Sequence, residues 1–197
     1  TKSAPTNVVV DSEHVLLAEI IDEKPEAWWL EQLFAPHYMD QKFVLENLTG
    51  AALETAINHN LKHEYWGVRE LAVKAIERID NPTQLESTLI DVATNDKRTT
   101  VRASAIDVLA TLEEPNKHEA LFEKATKEKS YAVAGSGLGA LTVTNKEKAL
   151  TTARMLEKES KNELKKAVMR VYAALGGVQE FSFFQKGLQT ASKRTQG

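Results

Sequence analysis

His59 and His63 stand four residues apart, with Glu64 beside the second. Two neutral imidazoles at that spacing share one face of a helix, and with a carboxylate nearby they can hold a divalent ion. Here they fall where the chain turns between two helices, so they read as turn histidines facing solvent. Gly135-Ser136-Gly137-Leu138-Gly139 suggests a second chemistry, a backbone cradle for phosphate. It is neither G-x-G-x-x-G nor followed by Lys and Ser or Thr, and no strand precedes it. Paired carboxylates such as Glu113-Glu114, and the mixed runs KATKEKS and LEKESKNELKK, are charge-balanced and read as solvated helix faces. No strand-to-helix elbow presents a nucleophilic serine. The absence of cysteine removes disulfides and thiolate metal sites.

Whatever these side chains do, helices must place them. Glycine and proline number only 9 and 5 in 197 residues, too few for an all-β chain full of tight turns. At 42 % hydrophobic and 27 % charged, the composition is that of a globular domain. A net charge of −3 argues against nucleic acid, whose binders carry a basic footprint. No run of eighteen apolar residues exists, so no membrane span is expected. The opening TKSAPTNVVV has neither an initiator Met nor a signal-peptide core, so the chain is expected to start inside a longer protein or after a cleavage point. A soluble protein is expected, and the composition identifies no compartment.

The helix around residues 99–112 has its apolar positions, Val101, Ala105, Val108, Leu109 and Leu112, on the 3.6-residue period. Its narrow, alanine-rich face cannot make a domain alone, and it has copies. Val68-Arg69 to Ile76 lies 33 residues before Val101-Arg102 to Leu109; Val133 to Leu141 follows 32 residues later and Leu164 to Tyr172 a further 31. Met39 to Val44 is a degenerate first copy. Between the copies, Ile57, Leu89 and Leu121 recur every 32 residues, as do Leu61, Ala93 and Ala125. Each repeat is therefore a hairpin. Helix A is expected near 51–60, 83–94, 117–128 and 146–158, and helix B near 65–79, 99–112, 131–143 and 162–175. Asn81-Pro82 and Glu114-Pro115 break the chain between repeats. Two helices per period of this length mark an α-solenoid.

The pattern Asp96…Val101-Arg102-x-x-Ala105…Leu109 resembles the unit of HEAT repeats, with Asp in the turn inside the repeat and Arg on helix B. In that family these groups commonly ladder from one repeat to the next. Arg69 and Arg102 fit such a ladder; Ala134 and Lys165 depart from it, so it should fade toward the C-terminus. The Trp, Gly and Tyr signature of tetratricopeptide repeats is absent. The fold class is thus all-α, an α-α superhelix of about four to five HEAT-like hairpins with a short N-terminal strand.

The ends differ from the repeats. Residues 7–20, NVVVDSEHVLLAEI, open with a β-branched run expected as a strand. Asp22 or Glu23 before Pro25 signals a helix start. Trp28, Trp29, Leu30, Leu33 and Phe34 then supply an apolar face, which either caps the first repeat or docks another domain. At the other end Phe181, Phe183, Phe184 and Leu188 suit a closing helix. The order of strand, Pro-containing Trp helix, Ala35-Pro36-His37-Tyr38-Met39-Asp40 and HEAT-like hairpins resembles the C-terminal part of zinc aminopeptidases of the aminopeptidase N family. The resemblance implies that residues 1–20 are the tail of a preceding β-domain and that 21–197 form the HEAT-like solenoid. That family's H-E-x-x-H zinc motif is missing: His63-Glu64-Tyr65-Trp66-Gly67 lacks the second histidine.

The resemblance implies a non-catalytic domain with no cofactor of its own, packed beside a zinc-bearing catalytic domain and restricting peptide access to its cleft. Its partners would be the catalytic and β-domains of the parent chain and the parent's peptide substrate, with neither nucleic acid nor membrane. Arg69, Arg102, Gly135, Gly139 and Lys165 are the candidate contacts on a concave helix-B surface, and Trp28 and Trp29 the candidates for interdomain docking. Within a helix each glycine costs about 1 kcal/mol relative to alanine, so close helix approach or a cleared binding face must compensate. Two other readings compete. One is a freestanding HEAT scaffold that binds another protein. The other is a HEAT-like DNA glycosylase using a stripe of Arg69, Lys74, Arg78, Lys97 and Arg102.

Overall fold

The computed structural model describes residues 7–11, 13, 15–17, 20–158 and 161–185. These residues are helical throughout their ordered elements, and no strand forms among them. The chain divides into two compact units, residues 1–113 and 114–197, with the division at Glu114-Pro115.

The first unit contains α1 (Glu26–Glu31), α2 (Tyr38–Asn47), α3 (Gly50–Asn60), α4 (Trp66–Ala75), α5 (Glu86–Asn95) and α6 (Thr99–Leu109). α3 packs on α4 and α5 on α6 as hairpins, while α2, α4 and α6 lie side by side as one layer. Pro82 opens the 3-10 turn Pro82–Leu85 that leads into α5, a position where the missing N–H costs nothing. Val68, Ala72, Ile76, Val101, Ala105 and Leu109 all point into the core. The recurring apolar positions are thus the faces along which the hairpins stack.

The second unit holds α7 (Glu119–Thr126), α8 (Tyr131–Thr144), α9 (Lys146–Leu156) and α10 (Asn162–Leu175). α7 pairs with α8 and α9 with α10, and α8 lies against α10. Ser130 caps α8 through its hydroxyl, and Asn145, the single residue between α8 and α9, accepts the Lys148 N–H at 3.0 Å. Pro115 opens the 3-10 turn before α7 in the same way as Pro82 does before α5.

Two expectations are corrected. The strand over residues 7–20 is not seen in the described part of that range: residues 7–9 form no regular element, and the chain turns at Val10 and Asp11. Asp11 takes φ 52°, and its carboxylate accepts the N–H groups of Val15 and Leu16. A strand needs a neighbour to accept its hydrogen bonds, and a stack of helices offers none. Second, the apolar period in α7 slips by one residue: Phe122 is fully buried while Leu121 is only half-buried. The larger ring takes the core position. Asp96 lies where the repeat pattern puts it, in the turn between the end of α5 and the start of α6 at Thr99.

At the N-terminal end, α1 and its 3-10 extension Gln32–Phe34 bury Trp29 and Leu33, while Phe34 remains 81 % exposed. At the C-terminal end, residues 181–185 are helical, with the Phe183 ring edge-on to Tyr172 at 5.3 Å. Leu188 lies outside the described residues.

Candidate functional site

The candidate residues separate by what their side chains already hold. Arg69 projects from α4 to the turn before α6. Its Nε and Nη2 donate to the two carboxylate oxygens of Asp96 at 2.7 and 2.9 Å, and Nη1 donates to the carbonyls of His63 and Glu64. The planar fork of the guanidinium matches the carboxylate, and both side chains are largely withdrawn from water, which strengthens the pair. Burial pushes the Asp96 carboxyl up. The hydrogen bonds from Arg69 and from the Arg98 N–H outweigh that, and the group is held below its ordinary value. Arg102 occupies the same repeat position one hairpin later and donates to the Asp96 carbonyl at 3.1 Å. Asp96 therefore joins consecutive hairpins: α4 reaches it from one side and α6 from its own.

Lys165 is exposed on α10. The three glycines of α8 have three different surroundings. A Cβ on Gly135 would lie 3.3 Å from the Glu163 carbonyl at the start of α10, and one on Gly137 would lie 2.7 Å from Ala125 Cβ and 2.8 Å from the Phe122 carbonyl. A Cβ on Gly139 would meet nothing within 4 Å. Gly135 and Gly137 thus let α8 approach two neighbours at once. Gly139, exposed, stands at the repeat position filled elsewhere by Lys74, Asp107 and Arg170.

Trp28 and Trp29 also differ. Trp29 is 5 % exposed, with the Lys24 ammonium 4.7 Å from its ring centroid. Lys24 pairs with Asp22 at 2.7 Å and donates to Gln32 Oε1, and Gln32 Nε2 donates to Asp40 Oδ1 at 3.1 Å. This chain of polar groups borders a cleft of about 280 Å³ with Val10, Ile21 and Trp29 on its apolar walls. Trp28 is half-buried, and its carbonyl accepts the Asn7 amide at 2.9 Å. His59 packs edge-on against Phe34 at 5.4 Å, and His63 Nδ1 accepts the Tyr65 N–H. Among the described residues no three His, Asp or Glu side chains gather as a metal site would need, and no helix is long and apolar enough to cross a membrane.

The basic stripe is partly committed to the fold. Arg69 is held as above, and Arg78 donates to the carbonyls of Leu45, Glu46 and Leu48 at the end of α2. Lys74 pairs with Glu70.

Sequence reasoning missed an aromatic groove on the α2–α4–α6 layer. Tyr38 opens α2, Tyr65 immediately precedes α4, Trp66 opens α4, and Arg98 immediately precedes α6. Tyr38 and Tyr65 meet edge-to-face at 5.9 Å, Tyr65 and Trp66 are tilted at 5.5 Å, and the Arg98 guanidinium lies 4.5 Å from the Trp66 ring centroid. A cleft of about 260 Å³ runs along Tyr38, Tyr65, Trp66 and the Glu70–Lys74 pair. Its available signal was the recurrence of large side chains at the start of successive B helices, with Tyr65 and Arg98 one repeat apart. Compared with protein-family models, curated proteins and solved structures, the chain matches none.

Proposed function

We propose that the chain is a non-catalytic HEAT-type module that packs beside the catalytic domain of a zinc aminopeptidase resembling the aminopeptidase N family and limits which peptides reach its cleft. The observation that carries the HEAT reading is the Arg69–Asp96–Arg102 arrangement, an Asp in a hairpin turn clasped by arginines of its own and the preceding helix B. Stacked hairpins tied in this way make a stiff wall, and a stiff wall beside an active site excludes large substrates and water. Parentage rests on the order of segments around Trp28, Pro36 and the first hairpins. In this reading the zinc, and the hydrolysis it supports, belong to the neighbouring domain.

The test is made on the product of the whole reading frame that contains this sequence. Hydrolysis of aminoacyl-p-nitroanilides that is abolished by chelation and restored by zinc is the expected outcome. A full-length product with no zinc-dependent peptidase activity would end the aminopeptidase reading. The freestanding scaffold is then favoured by one observation, the aromatic groove at Tyr38, Tyr65 and Trp66.

A further inference from the structure

From this groove we infer a docking site for an extended, proline-containing partner segment that carries acidic side chains. The inference holds whether the module belongs to a peptidase or stands alone. Tyr38 is 39 % and Tyr65 46 % exposed, so the rings line a surface cleft rather than a core. Gly67 sets their arrangement: a Cβ there would come 2.6 Å from the Tyr65 ring and 3.2 Å from the Tyr38 ring. Both rings lie against the bare backbone at Gly67, edge to face with each other and with Trp66 beside them, and the cleft runs along them. Aromatic-lined grooves suit the ridged, stiff polyproline II helix, which loses little entropy on docking. The backbone of that helix has no internal hydrogen bonds, so its carbonyls can accept from phenol and indole donors. Among the described residues the Tyr38 and Tyr65 hydroxyls and the Trp66 N–H have no partner.

Charge selects the flanking residues. Lys74 and Glu70 neutralise each other on one wall. Arg98 is exposed and stacked on Trp66, and no carboxylate pairs with its guanidinium among the described residues. One unmatched cation at the rim favours an acidic occupant over a basic one.

The test uses the full chain, ¹⁵N-labelled, with the Trp66 indole signal identified by its loss in Trp66→Phe. Three probes are titrated: Ac-(Pro-Pro-Glu)₃-NH₂, Ac-(Pro-Pro-Lys)₃-NH₂ and the proline-free Ac-(Gly-Ser-Glu)₃-NH₂. The acidic proline peptide should shift the Trp66 indole saturably, and the other two should bind about tenfold more weakly or not at all. Arg98→Glu should reverse the preference between the Glu and Lys peptides, and Tyr65→Leu, which keeps an apolar cover over Gly67, should weaken both at an unchanged melting temperature. No saturable shift at millimolar acidic proline peptide overturns the proposal. So does equal binding of the proline-free peptide, which would leave charge alone, or of the lysine peptide, which would leave the charge selection empty. None of these outcomes depends on peptidase activity, so failure here and failure of the aminopeptidase reading are separable.

Discussion

Gly137 and Gly139 sit two residues apart on one helix, yet they face opposite demands. Gly137 holds the repeat position of Ala72, Ala105 and Val168, which points at the neighbouring helix, and a Cβ there would strike the Phe122 carbonyl and Ala125. Gly139 meets open space. Gly137→Ala should therefore destabilise the protein by about 1–3 kcal/mol through overpacking, whereas Gly139→Ala should stabilise it by about 0.5–1 kcal/mol by restricting the unfolded chain. Denaturant midpoints of the two variants check both signs; a stabilising Gly137→Ala would mean that α7 and α8 do not approach as described. The sequence shows that three glycines in a helix need a reason. It does not show that the reason differs at each, because that depends on how closely α7 and α10 lie against α8. Arg69 was legible as one of two things, a ladder member or a ligand contact, and only the position of Asp96 on the next hairpin decides where its guanidinium goes.

At the scale of elements, the hairpins were readable because each buries the same register. Helices α3 to α6 and α8 to α10 fall where the apolar period and the two prolines put them. The departures have local causes. Val8 to Val10 have strand propensity but no strand to pair with, and Phe122 outcompetes Leu121 for the same core space. How α2 ends was not legible either. Arg78 reaches across from the end of α4's 3-10 extension to hold two of α2's last carbonyls, those of Leu45 and Glu46, and the carbonyl of Leu48 just beyond it. Cations at a helix C-terminus also complement its dipole. Arg78→Ala should lower stability by about 1.5 kcal/mol, and Arg78→Lys should recover only part of it, since an ammonium cannot fork across three carbonyls. Urea midpoints of the two variants test the order; equal values for Lys and wild type would show that charge alone matters.

For the molecule as a whole, the depressed carboxyls set the response to acid. Asp96 is joined by Glu180, which the Gly177 N–H and Arg154 hold low, and by Glu119, held low by Lys148. A carboxyl whose folded value lies below its unfolded one contributes stability that is complete above the unfolded value, about pH 4, and is lost as pH falls through the folded value. Thermal stability should thus change little between pH 7 and about pH 5 on account of these groups and fall steeply below about pH 4. Asp96→Asn should cost about 2 kcal/mol at pH 7 and flatten the acid limb. A variant whose acid limb matches wild type would place the sensitivity on other carboxyls. The Arg69–Asp96 clasp has one more consequence. It joins residues only 27 apart in sequence, and the packing of α3 on α4 and of α5 on α6 is as local. Little loop entropy is spent before such contacts form, so a chain leaving the ribosome can close one hairpin before the next has emerged and add each new one to a finished edge.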